Sequence, residues 1–136
     1  MAAVLRGLKE VALRTIDNFA PELYNLNQKI WRNPELGYGE KYAHELLTAY
    51  FSEKGFDVTQ HHTLDTAFRA ASGRSKRRVV ALVCEYDALP GIGHGCGHNL
   101  IAEVGVGAAL GKLKNWQATM IKPFSTVLGM EGIGVG

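Results

Sequence analysis

The strongest constraint on the fold is a run of five apolar residues, Val79-Val80-Ala81-Leu82-Val83, that leads without a break into Cys84. Three of the five are β-branched, and such a run suits a strand buried on both faces, as in a parallel sheet. Beyond a short loop, Leu100 to Leu110 is apolar, small and free of proline, and is long enough for a helix. A buried strand that crosses through a tight loop into a helix predicts an α/β fold. In open α/β sheets, binding sites lie at such crossings.

The crossing itself is rich in chemistry. Glu85 and Asp87 leave the strand two residues apart, on one side while the backbone stays extended. Pro90 ends the ladder, and Gly91, Gly93, Gly95 and Gly97 then alternate with Ile92, His94, Cys96 and His98. Glycines this dense allow φ values closed to other residues but bury almost nothing, so binding explains the loop better than stability does. A thiolate and an imidazole two residues apart at a helix N-terminus suit a borderline-soft ion such as zinc, which makes Cys96 and His98 the candidate ligands. The helix dipole and its free N–H groups favour the thiolate form of Cys96. Asp87 can accept the remaining N–H of a ligand histidine, or it can cap its own turn. Glu85 reads equally as a surface ion-pair residue, and His94 as a group that orients substrate or simply lines the loop. The rival chemistry makes Cys96 a covalent nucleophile with His98 as its base. It ranks lower because side chains so placed on a tight loop diverge.

The rest of the chain supplies helices and a hairpin. Residues 4–17 form an amphipathic pattern with Leu5, Leu8, Leu13 and Ile16 as inner positions, and Pro21 then kinks this helix or starts another. Phe19, Leu23, Leu26 and Ile30 continue a helical stripe that Asn33-Pro34 ends. Ala43, Leu46, Leu47, Tyr50 and Phe51 mark a second helix, closed by Gly55. Residues 56–59 and 66–71 read as paired strands, with His61 and His62 solvated between them and His44 as a surface residue. The helix over 98–111 carries Gly105, Gly107, Ala108, Ala109 and Gly111, a small face suited to close contact with the sheet. A last strand falls over 124–128. The glycine-rich end that follows Met130 reads as interrupted, with no internal repeat anywhere in the chain.

Composition narrows the class. At 136 residues, with 46% hydrophobic and 21% charged residues, one soluble domain with a real core is expected. A net charge of +2 argues against nucleic acid, and the basic group Arg74, Lys76, Arg77, Arg78 reads as a solvated turn. Two cysteines make no disulfide framework, and Cys84 reads as a small buried hydrophobe. No apolar run is long enough to span a membrane, and charges interrupt any signal-like segment, so a cytoplasmic location is expected.

Three segments carry a family likeness. Trp31-Arg32-Asn33-Pro34-Glu35-Leu36-Gly37 with Glu40, Tyr86-Asp87-Ala88-Leu89-Pro90, and Gly95-Cys96-Gly97-His98-Asn99 resemble, in order, motifs of the aminoacylase and amidohydrolase metallopeptidases. The likeness covers roughly residues 20–111, leaves 112–136 divergent, and is strongest toward the dipeptidases that cleave β-alanyl and γ-aminobutyryl dipeptides of basic residues. It implies a partial three-layer α/β/α zinc-exopeptidase-like fold, truncated, with residues 1–136 as the N-terminal part of a catalytic domain. It also implies hydrolysis of a small dipeptide or N-acyl amino acid with two zinc ions per complete enzyme, manganese or cobalt being possible substitutes. Cys96 and His98 then match metal ligands and Asp87 the aspartate that supports the metal, with homodimerisation expected of the full-length form. The family's Gly-Thr-Pro-Ala-Glu-Glu segment has no counterpart here beyond Glu131, which receives no role. No histidine follows His98, and Asn99 stands where aspartate is usual. The chain therefore reads as an incomplete form of the enzyme; the alternative is a catalytically inactive product that serves as a binding or regulatory module.

Overall fold

The computed structural model describes the backbone of residues 2–73, 79–118 and 125–130, and the side chains of residues 2–73 and 80–111. The elements run α1 (Ala2–Arg32), α2 (Lys41–Glu53), β1 (Asp57–Gln60), β2 (Phe68–Ser72), β3 (Val79–Cys84), α3 (His98–Ala118) and β4 (Ser125–Met130), with a 3-10 turn at His94–Cys96. The four strands form one sheet in the order β1-β2-β4-β3. β1 and β2 make the expected antiparallel hairpin, β2 pairs antiparallel with β4, and β4 returns parallel to β3 through α3. The α/β class holds, in a mixed sheet rather than a purely parallel one.

α2 packs on β1 and β2, α3 packs on β3 and β4, and α1 lies mainly along α3. The core joins Leu23, Leu26 and Ile30 of α1 to Leu47 and Phe51 of α2, Phe68 of β2, and Val106 and Leu110 of α3. Phe51 meets Phe56 edge-on at 5.0 Å between ring centroids, a favoured aromatic geometry.

Several expectations are corrected. α1 is one helix through Pro21, which is exposed. Leu5 is 67% and Leu13 50% exposed rather than inward. β3 is an edge strand of the described sheet and is not buried on both faces, since Val83 is 73% and Val80 41% exposed. An unbroken apolar run fixes hydrophobicity, not which faces find a partner. The small face of α3 meets α1 more than the sheet: a Cβ at Gly107 would stand 3.4 Å from Leu23 Cδ1, and one at Gly111 3.6 Å from the Ala12 carbonyl oxygen. His44 is buried, not a surface residue. The basic group at 74–78 and the glycine-rich end with Glu131 lie outside the described residues.

Candidate metal centre

The scaffold of the crossing is built from the Pro34-Glu35-Leu36 and Asp87-Ala88-Leu89 segments together. Leu36 and Ala88 form a parallel bridge, and the Ala88 amide donates to the Glu35 carbonyl at 2.7 Å. The Glu35 carboxylate turns the other way and accepts from the amides of Tyr42 (2.9 Å) and Ala43 (3.0 Å) in the first turn of α2. These amides have no partner inside the helix, and a carboxylate at the positive end of the helix dipole suits them. The acid of the Pro-Glu-Leu motif is thus a helix cap that ties α2 to the site's rim.

The loop closes on itself. Leu89 and Gly93 exchange two backbone hydrogen bonds, 2.9 and 3.1 Å, around Pro90 and Gly91. Gly91 at φ +77° takes the left-handed conformation that this reversal needs. Gly97 at φ +85° turns the chain into α3, its carbonyl accepting from Leu100 and Ile101, so that His98 opens the helix. Asn99 holds this end in place: its side-chain amide donates to Asn27 on α1 at 3.0 Å, and Asn27 donates to Glu103.

On this frame three ligand-bearing side chains converge. Glu85, Asp87 and His98 each bring one donor atom within 4.8 Å of the others. His98 Nδ1 donates to Asp87 Oδ1 at 2.8 Å and lies 3.1 Å from the Asp87 carbonyl oxygen. A carbonyl only accepts, so Nδ1 carries the hydrogen. His98 Nε2 then faces Glu85 Oε2 at 3.0 Å. In the neutral ring two lone pairs oppose each other there, and only a cation, a proton or a metal ion, reconciles them. This donor set, one imidazole with its tautomer fixed by a buried carboxylate and a second carboxylate opposite, fits a divalent metal.

Cys96 stands beside this cluster rather than in it. Its half-buried sulfur lies 3.7 Å from the Asp87 carbonyl oxygen, the acceptor it shares with His98. The structure therefore brings Asp87 and His98 into direct contact, and Cys96 to the same carbonyl. Glu85, which sequence places on one side with Asp87 as a flanking acid that could equally be an ion-pair residue, completes the group. His94 is buried with neither ring nitrogen hydrogen-bonded among the described side chains. Burial and the nearby His98 hold its protonation below the ordinary histidine range, against smaller opposing pulls from Asp87 and the Ile30 backbone. Cys84 is buried, and burial with the charge of Glu85 pushes its thiol up, as suits a packing residue.

Known proteins resemble this chain in sequence and in fold. No protein-family model matches the chain. A Xaa-Arg dipeptidase of Mus musculus is 48% identical over 81% of this chain, and the Xaa-Arg dipeptidase of Homo sapiens is 45% identical over 79% of it. A p-aminobenzoyl-glutamate hydrolase from Escherichia coli is 34% identical over 68% of the chain. The chain belongs with these hydrolases in the amidohydrolase-type peptidase family. It spans 28% of the length of the mouse relative and 22% of the bacterial one. The fold agrees: a Bacillus subtilis protein described as a dinuclear metal-binding peptidase of the M20 family superposes with a TM-score of 0.68 at 20% identity, over 84% of this chain and 35% of that one. No helix among the described residues is long and apolar enough to cross a membrane.

Proposed function

We propose that the crossing serves metal-dependent hydrolysis of an amide bond in a small dipeptide or N-acyl amino acid, of the Xaa-Arg or β-alanyl-lysine type, in a domain of which this chain is the N-terminal part. The observation that carries this reading is the meeting of Glu85, Asp87 and His98, with the Cys96 sulfur on the same carbonyl as His98. Relatives named for hydrolysing such bonds support the substrate class. The apolar groove of Leu82, Val83, Leu100, Ile101 and Val104 between β3 and α3, with Val83 and Val104 largely exposed, supports further protein packing here in the complete domain.

Cys96 and His98 would hold zinc, manganese or cobalt being the alternatives, with Glu85 as an added oxygen donor. Metal bound here polarises a scissile carbonyl and lowers the pKa of a water. Asp87 keeps the hydrogen on His98 Nδ1, so that Nε2 presents its lone pair toward the site. Ala88, bridged to Leu36, fixes the strand end from which both carboxylates project. Gly93 and Gly97 set the loop that carries Cys96 between them.

A second reading is favoured by one observation: a two-metal centre needs more donors than this cluster, and among the described residues it is the one group of three or more converging metal-binding side chains. The isolated chain is then a binding or regulatory module that holds one zinc weakly and turns over little or no substrate. Zinc content and lysine release from β-alanyl-lysine, measured on the purified 136-residue chain, separate the outcomes. The expected result is one weakly held zinc that Cys96→Ser abolishes, with release near the blank. Hydrolysis at an ordinary enzymatic rate would overturn the incomplete-site reading, and unchanged zinc in Cys96→Ser would overturn the ligand assignment.

A further inference from the structure

The sheet has a face that none of the three helices covers. Strand residues alternate between faces, and the core takes Phe68 and Ala70 of β2 and Cys84 of β3, with Leu82 packed against it. The same core takes residues of α1, α2 and α3, so all three helices lie on that one side. Arg69, Ala71, Ala81 and Val83 therefore turn to the other side. Across β4 they stand in two rows: Ala71 and Ala81 both pair with Val127, and Arg69 and Val83 both pair with Gly129. Val83 is 73% exposed and Ala81 is exposed as well, whereas the apolar face of a sheet is ordinarily packed.

This face is shaped and charged for a helix. Arg69 and Val83 flank a glycine at two strand spacings, roughly 10 Å, close to the width of about 10–12 Å that an α-helix needs. In the next row Ala71 and Ala81 keep the flanks low. Arg69 is half-buried, and among the described residues its guanidinium has no carboxylate partner. Asp57, exposed on the same face of β1, makes no ion pair with it. A guanidinium so placed suits a carboxylate on whatever fills the trough, and its apolar stem lines the trough wall.

Topology says which helix belongs there. β2 already occupies the other side of β4, so a later strand parallel to this pair has only the open edge of β3 beside it. Parallel strands need a crossover, and crossovers are right-handed in nearly all cases. α3 crosses from β3 to β4 on the covered side. A crossover that returns from β4 past β3 runs the opposite way across the sheet and so lies on the bare side. The geometry points to this face as the seat of an amphipathic helix, the one that follows β4 in the longer domain. Its apolar stripe lies over Ala81 and Val83, and an Asp or Glu beside the stripe pairs with Arg69. This rests on the reading of the chain, which spans 28% of the mouse relative, as the N-terminal part of such a domain. Val83, on the edge strand, borders both this face and the groove between β3 and α3, so the helix and the strand it leads to cover the two together.

The test co-expresses the full chain carrying Ala81→Cys with the tagged remainder of the mouse dipeptidase, the part beyond what this chain matches. A one-to-one complex should form, and within it alkylation at position 81, read by peptide mapping, should slow at least about tenfold. Asn25→Cys, exposed on the helical side, should keep its rate. Arg69→Glu should weaken the complex at least about tenfold, less than for a fully desolvated charge pair because Arg69 is half-buried. In the isolated chain, positions 81 and 25 should react alike, an arm that needs no second polypeptide. Slow labelling at 81 in the isolated monomer would mean that the chain covers its own face, and in a dimer that a second copy does. Either result overturns the proposal, as does a soluble remainder that does not bind, a complex with position 81 open, or wild-type affinity in Arg69→Glu. Hydrolysis of β-alanyl-lysine by the same complex is measured before alkylation. Protection at 81 without hydrolysis supports the helix seat and counts against the hydrolase reading; hydrolysis with position 81 open does the reverse.

Discussion

Replacing Asp87 with alanine removes a buried carboxylate oxygen 2.8 Å from His98 Nδ1. The Asp87 backbone carbonyl, 3.1 Å from the same nitrogen, stays in place and still requires hydrogen on Nδ1. The tautomer is therefore kept, while the negative charge that makes Nε2 a stronger donor is lost. Supporting groups of this kind typically contribute about 10- to 100-fold in metal affinity, or roughly 1.4–2.8 kcal/mol. Because one acceptor survives, Asp87→Ala should fall near the tenfold end, well short of the full loss expected for His98→Ala. Competition for zinc against a chromophoric chelator, with circular dichroism as the check on folding, measures the difference. Wild-type zinc affinity in a folded Asp87→Ala chain would refute the assignment of Asp87 as the residue that supports His98.

Glu35→Ala removes the cap on the amides of Tyr42 and Ala43 and should cost about 1–2 kcal/mol, lowering the thermal midpoint by roughly 3–8 °C; an unchanged midpoint would refute the capping role. Alkylation at neutral pH should label half-buried Cys96 well before Cys84, whose thiol is buried and pushed up; peptide mapping that finds Cys84 first would contradict this. Between α1 and α2, Lys54 lies 2.7 Å from Glu22 and 5.0 Å from the ring centroids of Phe19 and Tyr50. The Lys54 ammonium holds the Glu22 carboxyl below its ordinary 4.5, so the unfolded chain takes up that proton first as pH falls. The pair's contribution is thus present above about pH 4.5 and lost on further acidification. Since Glu22 is exposed it amounts to no more than about 1 kcal/mol, and Glu22→Gln should flatten that part of the stability–pH curve.

Much of the fold was legible because its signals are local. The stripe through Ala43, Leu47 and Phe51 gave α2, and Gly55 takes the positive φ, +83°, expected of a residue that closes a helix. The polar turn between 59 and 66 gave the hairpin, and the apolar run gave β3. What sequence could not give was which apolar surface finds a partner, hence the errors over Leu5, Leu13 and Val83. His44 was misjudged although it follows Glu40 by four residues and precedes Leu47 and Phe51 by three and seven, on the buried side of α2. A polar residue on a core stripe was itself the signal. At the crossing, the chemistry of a ligand histidine pointed to Asp87 as an acceptor, which its 2.8 Å contact with His98 bears out, but the parallel bridge from Leu36 to Ala88 joins residues too distant in sequence for any periodicity to report. The cap formed by Glu35 was hidden for the same reason.

Metal bound at the crossing loop would be held by a thiolate and an imidazole, those of Cys96 and His98. X-ray absorption at the zinc edge, on the chain loaded with one equivalent, reads the ligand atoms directly. The expected spectrum shows one sulfur at about 2.3 Å with nitrogen and oxygen donors near 2.0–2.2 Å, the sulfur vanishing in the Cys96→Ser variant. A shell of nitrogen and oxygen alone, unchanged by Cys96→Ser, would contradict it.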